Sequence, residues 1–179
     1  MILSFIILGA SIVLVVMSVL FFFMLLGFLE GLPYVPTKQK TVEKIIEISH
    51  AQEGEKVADL GSGDGRILIE FAKKGIEAHG FEINPLLVWH SRKNIRTRGF
   101  GDKAIVYHKN FWKQDFSSYD IIVVYGIGYI MKKLEEKLGK ELKPGARIIS
   151  SAFEFPTWKA TVSSNGLFLY DNPDKNLPK

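Results

Sequence analysis

The chain contains no cysteine, which excludes a disulfide framework and any thiolate metal site. Its four histidines, His50, His79, His90 and His108, fall at no metal-ligand spacing, so no metal is expected. Charge of one sign is not in large excess: 23 Lys and Arg against 19 Asp and Glu leave +4 over 179 residues. That is far short of the basic excess of a nucleic-acid binder, and no nucleic acid is expected as a partner. No internal repeat is visible, and the length has room for one domain. The most informative absence is local. Residues 1–29 carry no charged side chain, and twenty of them are Leu, Ile, Val or Phe. At roughly −0.3 to −0.6 kcal/mol each they favour insertion into a bilayer by about −6 to −12 kcal/mol, as an upper bound. The stretch lacks the basic start and small-residue cleavage site of a signal peptide, and exceeds its apolar core in length. As a helix it would measure about 43 Å against a hydrocarbon core of about 30 Å. The expected organisation is a transmembrane anchor over 1–29, a connector over 30–40, a folded domain over 41–171 and a tail over 172–179. The nearest basic residues, Lys38, Lys40 and Lys44, all follow the apolar stretch. By the positive-inside rule the protein is single-pass, with its N-terminus outside and its domain cytoplasmic.

Of what is present, the run Val57-Ala58-Asp59-Leu60-Gly61-Ser62-Gly63-Asp64-Gly65 organises the rest. Val57 to Leu60 read as a buried strand, and Ile67, Leu68, Phe71 and Ala72 then recur at helical spacing. Strand, glycine turn and helix is how an α/β fold builds a nucleotide site. The spacing here is G-x-G-x-G, not the G-x-G-x-x-G of dinucleotide folds, and no Gly-Lys-Ser/Thr follows to hold a phosphate. Asp59, two residues before the first glycine, would repel a pyrophosphate and suits an ammonium. The pattern resembles the first motif of class I S-adenosylmethionine (SAM) methyltransferases, whose cofactor has an ammonium and no phosphate. Glu82, near the end of a second strand over Glu77 to Ile83, is placed to accept from the ribose hydroxyls.

Other elements follow in order. Pro33-Tyr34-Val35-Pro36-Thr37 is a stiff connector, with Thr37 as cap of a helix from Lys38 to His50. Asn84 and Pro85 open a helix that stops at Gly99. Arg92, Lys93, Arg96 and Arg98 crowd its second half, either as a solvated helix end or as a contact for anionic lipid heads. Ala104 to His108 is the third strand. After it, Asn110 is expected to accept from an adenine amino group, and Phe111 or Trp112 to pack on the adenine face. Tyr119 to Tyr125 is a buried fourth strand, Met131 to Leu142 a helix, and Ala146 to Ser151 the fifth strand. Asn165-Gly166 closes a hairpin between Thr161–Ser164 and Leu167–Tyr170.

Taken together, Asp59-Leu60-Gly61-Ser62-Gly63-Asp64-Gly65-Arg66, Glu82-Ile83-Asn84-Pro85, Leu87-Val88-Trp89, Trp112 and Phe155-Pro156-Thr157-Trp158 resemble one family. It is the small membrane-anchored protein-lysine methyltransferases whose eukaryotic members modify the ATP synthase c-subunit and the adenine nucleotide translocase. The family tends to have Asp where this chain has Asn110. The resemblance implies a class I methyltransferase domain: an α/β fold with a mainly parallel seven-stranded sheet in the order 3-2-1-4-5-7-6. It implies SAM as cofactor, held by Thr37, Asp59, Gly61, Ser62, Gly63, Asp64, Gly65, Glu82, Asn84, Asn110 and Phe111. A lysine has a pKa of about 10.4, so its neutral form at pH 7 costs about 4.6 kcal/mol; an apolar aromatic channel lowers that cost by desolvation. Tyr125, Phe155 and Trp158 are the expected channel residues, with Tyr34 and Phe153 beside them. The expected acceptor is a lysine near the bilayer surface of a membrane protein, with the lipid bilayer itself as a partner. Two other readings stay open: methylation of a quinone or lipid, and a tethered SAM-binding module without turnover.

Overall fold

A computed structural model of the chain describes residues 2–30 and 36–171; Tyr34 and the tail from 172 onward lie outside the described residues. Residues Ile2–Glu30 form one helix, α1. Its described side chains run unbroken only from residue 7 to residue 23, and among the described residues no helix carries an apolar stretch long enough to cross a membrane. Most of those side chains are apolar and exposed, among them Leu14, Phe21 and Phe22.

The domain alternates strands and helices. In chain order it runs α2 (Gln39–Ser49), β1 (Lys56–Leu60), α3 (Arg66–Lys73), β2 (Glu77–Glu82), α4 (Pro85–Thr97) and β3 (Ala104–His108). A 3-10 turn over Phe111–Lys113 follows, then β4 (Ile121–Tyr125), α5 (Gly128–Glu141), β5 (Arg147–Ser151), β6 (Val162–Ser164) and β7 (Leu167–Asp171). One seven-stranded sheet has the order β3-β2-β1-β4-β5-β7-β6, as expected. The first five strands are parallel, and β7 enters antiparallel between β5 and β6. Asn165 and Gly166 both take positive φ, 52° and 74°, which the two-residue hairpin turn requires.

Both faces of the sheet are covered, which is why β4 reads as an unbroken apolar run. Ile121 and Val123 join α2, α3 and α4 in one core layer. Ile122 and Val124 join α5 in the other, following the two-residue period of a strand. On α2, Val42, Ile45, Ile46 and Ile48 are buried, each contributing about 1.5–3 kcal/mol relative to exposure. Some boundaries move. The fourth strand starts at Ile121 because the Tyr119 N–H closes a turn onto the Phe116 carbonyl (3.1 Å). The cap of α2 is Lys38, without a side-chain bond, and not Thr37. Asn84 does cap α4, accepting from the Leu86 and Leu87 N–H groups.

Candidate active site

The parallel strands β1, β2 and β4 point their C-terminal ends one way, and the glycine loop lies across that edge. Gly61, Gly63 and Gly65 have φ of 83°, 55° and 79°, the left-handed region that L side chains avoid. That is why glycine recurs at alternate positions. The loop is tied down by β2. The Gly61 N–H donates to the Phe81 carbonyl (2.9 Å), and the Gly63 N–H to Glu82 Oε2 (3.0 Å). Gly80 makes room beneath it, since a Cβ there would lie 2.4 Å from Ser62 Oγ and 2.7 Å from Leu68 Cδ1. Gly65 does the same toward α4, where a Cβ would meet Ser91 Oγ at 2.1 Å.

Two buried carboxylates face this loop in different states. Glu82 accepts three N–H groups: Gly63 at Oε2, and Ile83 and Asn84 at Oε1, both at 2.8 Å. Burial raises its pKa and these bonds oppose the rise. A carboxylate offers about four acceptor positions, so one remains open, on Oε2. That position can take a ribose hydroxyl. Asp59 is only 3% exposed, and its Oδ2 has no hydrogen-bond partner among the described residues. Burial, and next the negative charges of Glu82 and Asp64, push its carboxyl up to about 8. A buried acceptor without a donor is costly, and a cation brought to it would remove the cost. Ser62 Oγ is likewise buried without a partner.

Asp64 is committed elsewhere. Its carboxylate holds Arg66 (Oδ2 to Nη2, 2.6 Å), and Arg66 donates from Nη1 to the Thr37 carbonyl (2.6 Å). Burial acts to raise the Asp64 pKa, but the bonds and charge of Arg66 overcome it and hold it below the usual range. Thr37 through its carbonyl and Asp64 through its carboxylate, both expected at the cofactor, clamp the connector to the start of α3.

The far side of the site is built on the 3-10 turn and the segment after β5. Asn110 Oδ1, expected to accept from adenine, accepts from the Trp112 N–H (2.9 Å) and caps the 3-10 turn, one bond to an oxygen with two acceptor positions. Phe111 is buried in the second core layer, its ring against Trp112 at 4.8 Å. Phe155, expected in an acceptor channel, is 3% exposed. Its ring packs on Trp158 (4.9 Å) and Tyr170 (5.1 Å), so it has no open face for an acceptor. Trp158 seals the same cluster against α5, 3.3 Å from where a Gly139 Cβ would sit. Two residues the sequence did not flag hold this segment. Glu135, buried on α5, accepts from the Thr157 and Trp158 N–H groups (3.0 and 2.7 Å), and Tyr170 Oη accepts from the Phe155 N–H (3.1 Å). Tyr125 stays half-buried at the end of β4. Phe153 is 41% exposed and its ring lies over the start of α5, 3.7 Å from a Gly128 Cβ position. Tyr129, which follows Gly128 and is exposed, was not flagged either; its signal is its place directly after the β4 loop.

The family model described as the ANTKMT methyltransferase domain matches residues 59–162, more than half of the chain. The chain belongs to that family. It is 43% identical over 127 residues to the human lysine N-methyltransferase of the ATP synthase c-subunit, a match covering 71% of this chain and 54% of that protein. The chain therefore spans about half the length of that relative. A protein-lysine N-methyltransferase of Saccharolobus islandicus (strain REY15A) is 36% identical over 135 residues, covering 74% of this chain and 84% of that one. Among solved structures, an RNA methyltransferase from Salinibacter ruber in complex with S-adenosyl-L-homocysteine superposes with a TM-score of 0.76 at 29% identity, over 81% of this chain and 97% of that one.

Proposed function

We propose that the chain binds SAM and methylates a lysine side chain of a protein at or near a membrane. The observation that carries the reading is Asp59 Oδ2, a buried acceptor without a donor on the strand that leads into a glycine cradle. An α-ammonium is the group that it lacks. SAM supplies a methyl group already activated on a sulfonium. Asp59 would hold the ammonium, and the open position on Glu82 one ribose hydroxyl. The backbone of Gly61 to Gly65 approaches without side chains in the way. Asn110 and Phe111 would shape the adenine end through the 3-10 turn. The remaining task of the chain is to align an amine and exclude water. Tyr125 at the end of β4, Tyr129 at the start of α5 and Phe153 just after β5 are the walls that desolvate an incoming lysine and favour its neutral form. The relatives named as lysine N-methyltransferases support this acceptor. The proposal includes α1 as the anchor: 29 residues that reach the length of a span, with outward apolar side chains. It also places the N-terminus outside and the domain in the cytoplasm.

Membranes from cells with and without the gene, incubated with methyl-tritiated SAM, test the reading. Gene-dependent label on a lysine of a membrane protein is the expected result. Label in the lipid extract would favour a quinone or lipid acceptor, label in RNA the chemistry named for the Salinibacter relative, and binding without transfer a tethered module. Because the chain has no cysteine, a single one placed at Lys179 reports topology. Its labelling by an impermeant thiol reagent in intact cells would overturn the orientation.

A further inference from the structure

On α4, Leu86 and Trp89 lie one turn apart and are 55% and 65% exposed. The same stripe continues through Lys93 and Arg96, both exposed. Positions 86, 89, 93 and 96 follow one line along a helix. Lys93 Nζ sits 5.4 Å from the centre of the Trp89 ring. The inward side of α4 is accounted for by Val88, Ser91 and Ile95, so packing does not explain the outward one. An exposed tryptophan and leucine beside basic side chains match a bilayer surface. The apolar groups fit the boundary between headgroups and acyl chains, and the cations fit anionic headgroups.

The helix that carries the stripe is also tied to the place where the chain leaves the domain for α1. Thr37 is held by Arg66 and Arg66 by Asp64. The Asp64 carbonyl in turn accepts from Asn94 Nδ2 on α4 (3.2 Å), and Gly65 abuts Ser91 of the same helix. From Glu30 to Thr37 is seven residue steps, at most about 25 Å of chain. With α1 in a bilayer, the side of the domain that carries Thr37 is held near the surface, and α4 is its neighbour.

We infer that the outward stripe of α4, Leu86–Trp89–Lys93–Arg96, is a second membrane contact that docks the domain on anionic lipid headgroups. The inference rests on the proposal that α1 is inserted, and the test separates the two. The full chain is reconstituted into vesicles of phosphatidylcholine alone or mixed with phosphatidylserine. Tryptophan emission is read with lipids brominated near the headgroup end of their chains. Trp112 and Trp158 pack against the second core layer, so the difference between wild type and Trp89→Phe isolates Trp89. Trp89 is expected to be quenched in the phosphatidylserine vesicles, and the quenching to weaken at high salt. Lys93→Gln and Arg96→Gln should each lower the docked-to-undocked ratio about fivefold. Alkaline carbonate extraction of the same vesicles reads α1 by itself. A chain that resists extraction while Trp89 is unquenched in both lipids overturns the inference and leaves the anchor standing. A chain that is extracted, although Trp89 was quenched at neutral pH, overturns the anchor and leaves the α4 contact standing. Trp89 indifferent to lipid but shielded from acrylamide when an acceptor membrane protein is added would assign the stripe to a protein, and would also overturn the inference.

Discussion

Replacing Asp59 by Asn tests the cofactor site through protons as well as affinity. In the folded chain without ligand the Asp59 carboxyl is pushed up from 3.8 to about 8, first by burial. The folded state therefore keeps a proton that the unfolded chain releases. Stability from this group is complete below pH 3.8 and is lost progressively as pH rises to about 8. The loss is at most about 6 kcal/mol at 1.36 kcal/mol per unit. Asp59→Asn should abolish that part of the slope and raise the melting temperature of the ligand-free protein at pH 8 and above. Binding carries the complementary signature. At pH 7 the carboxyl is roughly nine-tenths protonated, and an α-ammonium of pKa about 7.7–8.0 is also mostly protonated. The bound pair shares a single proton, so binding must release close to one. Affinity should climb roughly tenfold per pH unit up to about pH 8 and fall above it, where both partners have lost their protons. Titration calorimetry of SAM at pH 7, in buffers of different ionisation enthalpy, reads the released proton directly. In Asp59→Asn the release should vanish and affinity drop by about 3 kcal/mol or more, as for a buried pair missing one member. A binding enthalpy for the wild type that is the same in every buffer would refute the assignment of Asp59 to the ammonium.

Four further outcomes follow from the same geometry. Glu82→Ala leaves the Gly63, Ile83 and Asn84 N–H groups without their acceptor, and should weaken SAM binding by roughly 1.5–3 kcal/mol. Because Glu82 is also a cause of the raised Asp59 pKa, Glu82→Gln should shift the affinity optimum to lower pH, read by the same calorimetry. Gly80→Ala drives a methyl into Ser62 and Leu68; a cost of about 1–3 kcal/mol in denaturant unfolding should accompany loss of SAM binding. Phe155→Ala should cost about 3–5 kcal/mol of stability as a core deletion, whereas Phe153→Ala should leave the melting temperature nearly unchanged and slow methyl transfer. The reverse pattern would restore Phe155 to the acceptor channel.

The meeting of Asp59, the glycine turn and Glu82 at one sheet edge was legible because it is local. Asp59 and the three glycines follow one another within seven residues, and Glu82 ends the strand paired with β1 in parallel. Two strands and the turn between β1 and α3 are enough to assemble it. The sheet order was legible for a related reason: apolar runs bounded by turns mark the strands, and the family resemblance supplies their order. What stayed hidden depends on partners far apart in the chain. Nothing near Asp64 announces that Arg66 will reach Thr37, 29 residues away. Asn110 has the right chemistry for adenine, but its bond to the Trp112 N–H belongs to a 3-10 turn whose Phe111 lies in the second core layer.

The aromatic residues after β4 and β5 show the limit most clearly, because their burial is decided by competition among side chains. Between Tyr125 and Tyr170 five of them are candidates for the same mouth: Tyr125, Tyr129, Phe153, Phe155 and Trp158. Composition ranks them equally, and burial by α5 and β7 decides between them. Tyr170 takes the Phe155 N–H and packs on its ring. Glu135 takes the next two N–H groups, fixing the segment that buries Phe155 and seats Trp158 beside it. Just before, Ala152 adopts a φ of 75°, rare for a residue with a Cβ, and Ser150 Oγ donates to the Phe153 carbonyl (2.6 Å). These two constraints turn the chain between β5 and Phe155, so that Phe153 stays at the surface while Phe155, two residues later, enters the core. No sequence rule assigns a left-handed conformation to an alanine. The choice between Phe153 and Phe155 therefore belongs to tertiary structure, and the contrast between their two alanine variants measures that choice directly.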